Sequence, residues 1–242
     1  MEKTLKTPRG NISEVFASIQ GEGLLVGTMQ LFVRLAAPGQ SADDDTFVLR
    51  TLPGARNHYA RNPVSPSRLF QLLADTYPLE EFFSVAFIGD DPLHQPDFLA
   101  DMLQILRNHN IATFMQTAGT PVKEYLRLAP LVNRWCIDLT CGSGLSQLRS
   151  SRALAKIIGH ADPCSTYFRL AIDVDDAPAR LLKMIGELEP GKFTLVLQPC
   201  ALFPAHISDW DTGTITSWIQ LFRPHFFEVR WIPQVHKLLR IL

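Results

Sequence analysis

The segment Ser84–Asn108, SVAFIGDDPLHQPDFLADMLQILRN, contains one complete strand, loop and helix. Ser84–Ile88 is a short apolar run of strand type. Pro96–Asn108 opens on proline and sets Phe98, Leu99, Met102, Leu103 and Leu106 at helical spacing. The polar, turn-forming residues between them end the strand before the helix begins. Outward from this unit the same order recurs. Strand-like runs occupy Gln30–Ala36, Ile111–Met115, Arg134–Leu139, Thr166–Val174, Lys192–Leu197 and Phe226–Ile232. Helical spacing marks Ser67–Tyr77, Pro121–Leu128, Leu145–Ile158, Ala177–Leu188 and Thr212–Phe222. Strand followed by helix, repeated about six times, implies parallel strands joined by right-handed crossovers. Eight full units need about 250 residues. The expected fold is therefore α/β, with about six parallel strands in an incomplete barrel or an open sheet. Ala37–Asn62 is the least regular stretch and is expected to be a long loop.

The chain has 242 residues, 46% of them hydrophobic and 19% charged. These values fit one globular domain over 1–242 and exclude a disordered, collagen-like or coiled-coil chain. A formal net charge of -1 leaves no basic field for nucleic acid. The N-terminal MEKTLKTPRGNISEVF lacks the apolar core of a signal peptide, and no apolar run reaches about 18 residues. A soluble cytoplasmic protein without membrane contact is expected. The four cysteines, Cys136, Cys141, Cys164 and Cys200, form no C-x-x-C pair. They read as free thiols in a reducing compartment.

Ligands of such folds bind at the C-terminal ends of strands. Those ends carry Gly89-Asp90-Asp91-Pro92-Leu93-His94-Gln95-Pro96, Gln116-Thr117-Ala118-Gly119-Thr120, Gln198-Pro199 and Pro233-Gln234-Val235-His236-Lys237. Ser18-Ile19-Gln20-Gly21-Glu22-Gly23 precedes the first strand run. Together with Ile12–Phe16, Gly27-Thr28 and Phe32–Ala36, these segments resemble 7-carboxy-7-deazaguanine synthase in order and spacing across nearly the whole chain. That family consists of radical S-adenosylmethionine (SAM) enzymes of the queuosine pathway. The resemblance implies a radical SAM-like partial barrel, a carbon–nitrogen lyase activity and a homodimer.

The departures fall on the cofactor side. After its first strand the family carries three cysteines that hold a 4Fe-4S cluster, whose open iron binds SAM. Here the matching positions are Pro38, Ala42 and Asp45, and residues 1–135 contain no cysteine. Cluster iron is held by thiolates, which these side chains cannot replace. The family's Gly-Gly-Glu-Pro reads Gly89-Asp90-Asp91-Pro92, and its Glu-Thr-Asn-Gly-Thr has Gln116 and Ala118 in place of Glu and Asn. All three cofactor elements are altered while the substrate side is intact. Neither a cluster nor SAM is expected. Cys141 and Cys200 lie at strand ends, but Cys136 and Cys164 are poorly placed to complete an alternative cluster.

On the substrate side, the resemblance places Gln20, Glu22, Arg34, Gln198, Gln234 and His236 around a purine-like ligand. Each has a plainer alternative: a polar turn for Gln20 and Glu22, a strand stop for Gln198, and a packed terminal lid for Gln234 and His236. Arg34 interrupts an apolar strand, so it either meets a ligand carboxylate or pairs with Glu22 or Glu14. Asp43, Asp44 and Asp45 would crowd Asp90 and Asp91 if both loops share one rim, which would suit a hard cation such as Mg²⁺. The family binds Mg²⁺ near an Asp-Thr that Asp45-Thr46 echoes. The alternative is a solvated acidic loop.

Three functions follow. The first is a cluster-less homologue that binds a pterin-like or deazapurine-like ligand. The second is an enzyme repurposed around a divalent metal. The third is a protein-binding homologue with exposed Phe47, Val48, Leu49 and Leu52.

Overall fold

The computed structural model describes residues 7–37, 45–51, 56–89, 91–139, 151–173, 176, 178–186, 190–199 and 210–239. Two compact units result. The first comprises Met1–Ser18, Met29–Gln116 and Arg127–Asn133; the second comprises Ile19–Thr28, Thr117–Leu126 and Arg134–Leu242.

The first unit carries β1 (Ile12–Ile19), β2 (Met29–Leu35), β3 (Thr46–Arg50), β4 (His58–Arg61), β5 (Ser84–Gly89) and β6 (Thr113–Thr117). Their order is β6-β5-β2-β1-β3-β4. Strands β2 and β5 run parallel from Gln30↔Ser84 to Leu35↔Gly89, and β5 runs parallel to β6. Leu31, Val33, Val85, Ala86 and Phe87 are fully buried, as near-continuous apolar runs in parallel sheets require. Helix α1 (Pro66–Thr76) starts at Ser65, whose side chain accepts from the Arg68 N–H. It packs against α2 (Pro96–Asn108), whose five spaced apolar residues are all buried. Each such burial contributes about 1.5–3 kcal/mol.

Residues 37–62 are not a structureless loop. Strands β3 and β4 form an antiparallel pair within them, and β3 runs parallel to β1. Phe47 and Leu49 alternate with the less buried Thr46, Val48 and Arg50 and lie in the core, at 2% and 0% exposure. The expected exposed apolar surface is therefore corrected at these two residues, because strand alternation turns them inward. Leu52 lies outside the described residues. Strand β1 was also not expected, since Ser13, Glu14 and Ser18 interrupt its apolar pattern.

The second unit contains all but the last two residues of α3 (Val122–Leu128), together with β7 (Arg134–Asp138), α4 (Ser151–His160), β8 (Thr166–Ile172), α5 (Pro178–Gly186), β9 (Thr194–Pro199), α6 (Thr212–Phe222), β10 (Glu228–Trp231) and α7 (Val235–Leu239). Its strands follow the order β7-β8-β9-β10, with each neighbouring pair parallel. Asp211 caps α6 by accepting from the Thr214 N–H at 2.6 Å. Trp218 and Phe222 on α6 are buried, and the helix packs on β10. The expected α/β class holds: parallel strands alternate with helices, and more strands are present than the expected six or so.

Candidate functional site

The turn containing Glu22 is closed by its own backbone. Gln20 N donates to Thr28 O at 2.8 Å, and Gly27 N donates to Gln20 O at 2.9 Å. The flanking glycines have a steric cause. A Cβ on Gly21 would collide with the His236 ring, and one on Gly23 would collide with the Tyr167 phenol. Gly23 also adopts φ +64°, which favours glycine. The backbone is thus pressed between α7 and β8, and Glu22 projects between its neighbours. Val235 N donates to Gly21 O at 2.9 Å, tying the start of α7 to this turn. Gln198 is 1% exposed. Its Oε1 accepts from Gly23 N at 3.3 Å, and its Nε2 donates to Ile232 O at 2.6 Å.

Glu22 is the hub of a charged cluster. One carboxylate oxygen, Oε2, pairs with Arg169 Nη1. The other, Oε1, accepts from Gln234 Nε2 at 2.6 Å and lies 3.9 Å from His236 Nε2. Arg169 also grips Asp138 bidentately, with Nε–Oδ1 at 2.5 Å and Nη2–Oδ2 at 2.8 Å. The parallel register sets Asp138 directly opposite Arg169 on β7 and β8. Glu22, Asp138 and Arg169 side chains are only 18%, 17% and 12% exposed.

The amide of Gln234 can face Glu22 in one sense only, because a carboxylate accepts and cannot donate. Its Oε1 is then a buried acceptor without a hydrogen-bond partner among the described residues. An unpaired buried acceptor costs about 1–3 kcal/mol. Burial, and then the charges of Lys237 and Arg169, hold the His236 pKa below its usual 6.5 despite a hydrogen bond to the Gly21 backbone. Burial likewise keeps the Cys136 thiol and Tyr167 phenol protonated. The cluster therefore offers acceptors, with Arg169 already committed to two carboxylates.

Over 255 residues the chain is 27% identical to the 7-carboxy-7-deazaguanine synthase of Methanothermobacter thermautotrophicus, covering 96% of this chain and 97% of that one. It is 26% identical to the enzyme of the same name from Methanopyrus kandleri, over 96% of this chain and 94% of the relative. The chain is related to the 7-carboxy-7-deazaguanine synthases. Its fold matches the crystal structure of QueE from Escherichia coli with a TM-score of 0.54, covering 94% of this chain and 95% of that chain. At 16% identity that match speaks for the fold alone. No family model matches the chain.

Five of the six residues expected on the synthase substrate side, Gln20, Glu22, Gln198, Gln234 and His236, lie in the second unit. The contacts above bring them together. Arg34 lies in the first unit and is 45% exposed rather than buried. Its Nε is 2.9 Å from Glu14 Oε1, its guanidinium sits over the Phe16 ring, and Arg50 shares Glu14 from the other oxygen. The expected ion pair with Glu14 is present.

On the cofactor side, Pro38, Ala42 and Asp90 lie outside the described residues. Asp45 and Thr46 are exposed at the start of β3. Gly89 adopts φ +135°, and a Cβ there would meet the Leu35 carbonyl. Asp91 is 8% exposed and caps the following turn by accepting from Leu93 N at 3.0 Å. Gln116 and Ala118 are half-buried and buried in and after β6. Asp43 and Asp44 are also outside the described residues, so the expected acidic constellation is represented by Asp45 and Asp91 alone. Among the described residues no group of three His, Cys, Asp or Glu side chains is placed to hold a metal ion.

Among the described residues the cysteines, Cys136 and Cys164, are not arranged to hold a thiolate-bound cluster. The synthase-type cysteine positions offer no sulfur. Cys136 is buried as a protonated thiol 3.8 Å from Asp138 Oδ1, whereas Cys164 is exposed before the start of β8. Cys141 and Cys200 lie outside the described residues.

Asp138, Arg169 and Tyr167 were not among the expected site residues. Arg169 did carry a signal: like Arg34, it is a charge inside an apolar strand run.

Proposed function

We propose that this chain binds a pterin-like or 7-deazapurine-like ligand at the Glu22 cluster and carries out no radical SAM chemistry. It would then hold neither an iron–sulfur cluster nor SAM. The observation carrying this reading is the buried, unpaired Oε1 of Gln234 beside the Glu22 carboxylate. A 2-amino-4-oxopyrimidine ring, common to pterins and 7-deazaguanines, presents a ring N–H and an exocyclic amine along one edge. Adjacent acceptors complement such an edge, and pairing the Gln234 oxygen removes its desolvation penalty. The missing thiolates support the second half of the reading, since SAM in the synthases depends on the cluster. The relationship to the synthases further suggests a cytoplasmic homodimer.

Calorimetric titration with 7-carboxy-7-deazaguanine and with pterin tests the reading. Binding of either probe with a Kd of about 1 mM or tighter, weakened at least about tenfold by Glu22→Gln, is expected. Absence of binding by both probes to correctly folded protein would overturn it.

A further inference from the structure

Tyr167 and Arg169 lie two residues apart on β8 and share one face of the strand. The register with β7 sets Cys136 opposite Tyr167 and Asp138 opposite Arg169. Arg169 reaches the Glu22 carboxylate directly, whereas Tyr167 meets the backbone that follows it. A Cβ on Gly23 would stand 2.8 Å from Tyr167 Cζ and 2.9 Å from Cε2, with the hydroxyl nearer still. Only glycine lets the chain approach the ring this closely. The next backbone amide, that of Leu24, donates to the phenol oxygen. The phenol proton in turn serves the Cys136 sulfur, whose own S–H lies 3.8 Å from Asp138 Oδ1. Donors thus run in one sense, from Leu24 through Tyr167 and Cys136 to Asp138. Bonds in such a series polarise one another in a buried site, and Tyr167 and Cys136 are 5% and 1% exposed. Gln198 Oε1 accepts from Gly23 N. The two amides after Glu22 are therefore both held, Gly23 by Gln198 and Leu24 by Tyr167.

We propose that the Tyr167 hydroxyl is a positioning group for Glu22: together with Gln198 it fixes the Gly23–Leu24 backbone, so that the Glu22 carboxylate is already set for the donor edge of a ligand. A site whose polar groups are fixed beforehand loses less entropy on binding. Tyr167 acts through Glu22 and does not itself touch the ligand. The proposal rests on the ligand-binding reading above, and its test separates the two.

Tyr167→Phe removes the hydroxyl and keeps the ring against Gly23, so the variant is expected to fold. The probes are 7-carboxy-7-deazaguanine and pterin, titrated calorimetrically into the wild type, Tyr167→Phe, Glu22→Gln and the double variant. Tyr167→Phe is expected to weaken the bound probe at least about fivefold. In the Glu22→Gln background the same change is expected to weaken it less than about twofold, because the carboxylate to be positioned is gone. A residue needed only for folding would act equally in both backgrounds. Equal weakening in the two backgrounds overturns the proposal and leaves the ligand reading intact. So does a Tyr167→Phe variant that binds like the wild type. If the wild type binds neither probe, the ligand reading fails; there, and where Glu22→Gln abolishes binding, hydrogen exchange decides the positioning claim. The Glu22 and Gly23 amides, which bond Gln20 and Gln198 and not Tyr167, are the readout. Exchange at least about tenfold faster at both in Tyr167→Phe, with β9 amides unchanged, supports the proposal; unchanged exchange at both overturns it.

Discussion

Gln234 Nε2 donates to Glu22 Oε1 at 2.6 Å, although 212 residues separate them in sequence. This bond joins the turn before β2 to the start of α7, beside the Val235–Gly21 backbone bond. Replacing the amide by a second carboxylate, Gln234→Glu, would set like charges together in a part-buried site. A loss of about 1–3 kcal/mol is expected, measured by denaturant unfolding at pH 7.5 against the wild type. Restored stability at a pH near 4, where one carboxyl takes up a proton, would identify repulsion as the cause.

Two glycines with similar backbone strain separate packing from conformation. Gly23 has φ +64° and no room for a Cβ beside Tyr167, whereas Gly27 has φ +88° and open space around the same position. Both alanine variants lose about 1 kcal/mol to strain. Gly23→Ala must also displace the Tyr167 ring, and its total loss is expected to exceed that of Gly27→Ala by about 1–2 kcal/mol. Equal melting temperatures for the two variants would contradict the close approach.

His236 binds its proton less tightly in the fold than in the unfolded chain, because of burial and then the Lys237 and Arg169 charges. In the interval below its ordinary value of 6.5, the unfolded chain therefore takes up more protons. Its contribution to stability is complete above that interval and is lost as pH falls through it. Melting temperatures of the wild type are expected to drop between about pH 7 and about pH 5 more steeply than those of His236→Gln. Parallel pH profiles would remove His236 from the account.

The parts of the fold that could be read from sequence are those where burial is two-sided. Strands β5, β8 and β9 are apolar runs bounded by turn-formers, and the fold bears them out. Strands β3 and β4 are five and four residues long within a polar, Pro- and Gly-containing stretch. Their identity depends on pairing with each other and with β1, a tertiary effect absent from local pattern. The site shows the same limit. Arg34 and Arg169 look alike as charges in apolar strands, yet one is 45% exposed on Glu14 and the other is 12% exposed between two carboxylates. Which face a strand residue occupies is decided by register, and a single sequence does not contain it. The Gln20–Gly23 turn was legible because its glycines and polar residues sit together. The steric reason for those glycines emerged only with His236 and Tyr167 in place.

The claim that this relative of the synthases works without a cluster is tested most directly by iron and acid-labile sulfide analysis. The full chain would be purified and reconstituted without oxygen, and its visible spectrum recorded alongside. Iron at trace level and no broad band around 400 nm are predicted. Iron near about four per chain with that band would contradict the account and point to ligation by cysteines outside the synthase-type positions.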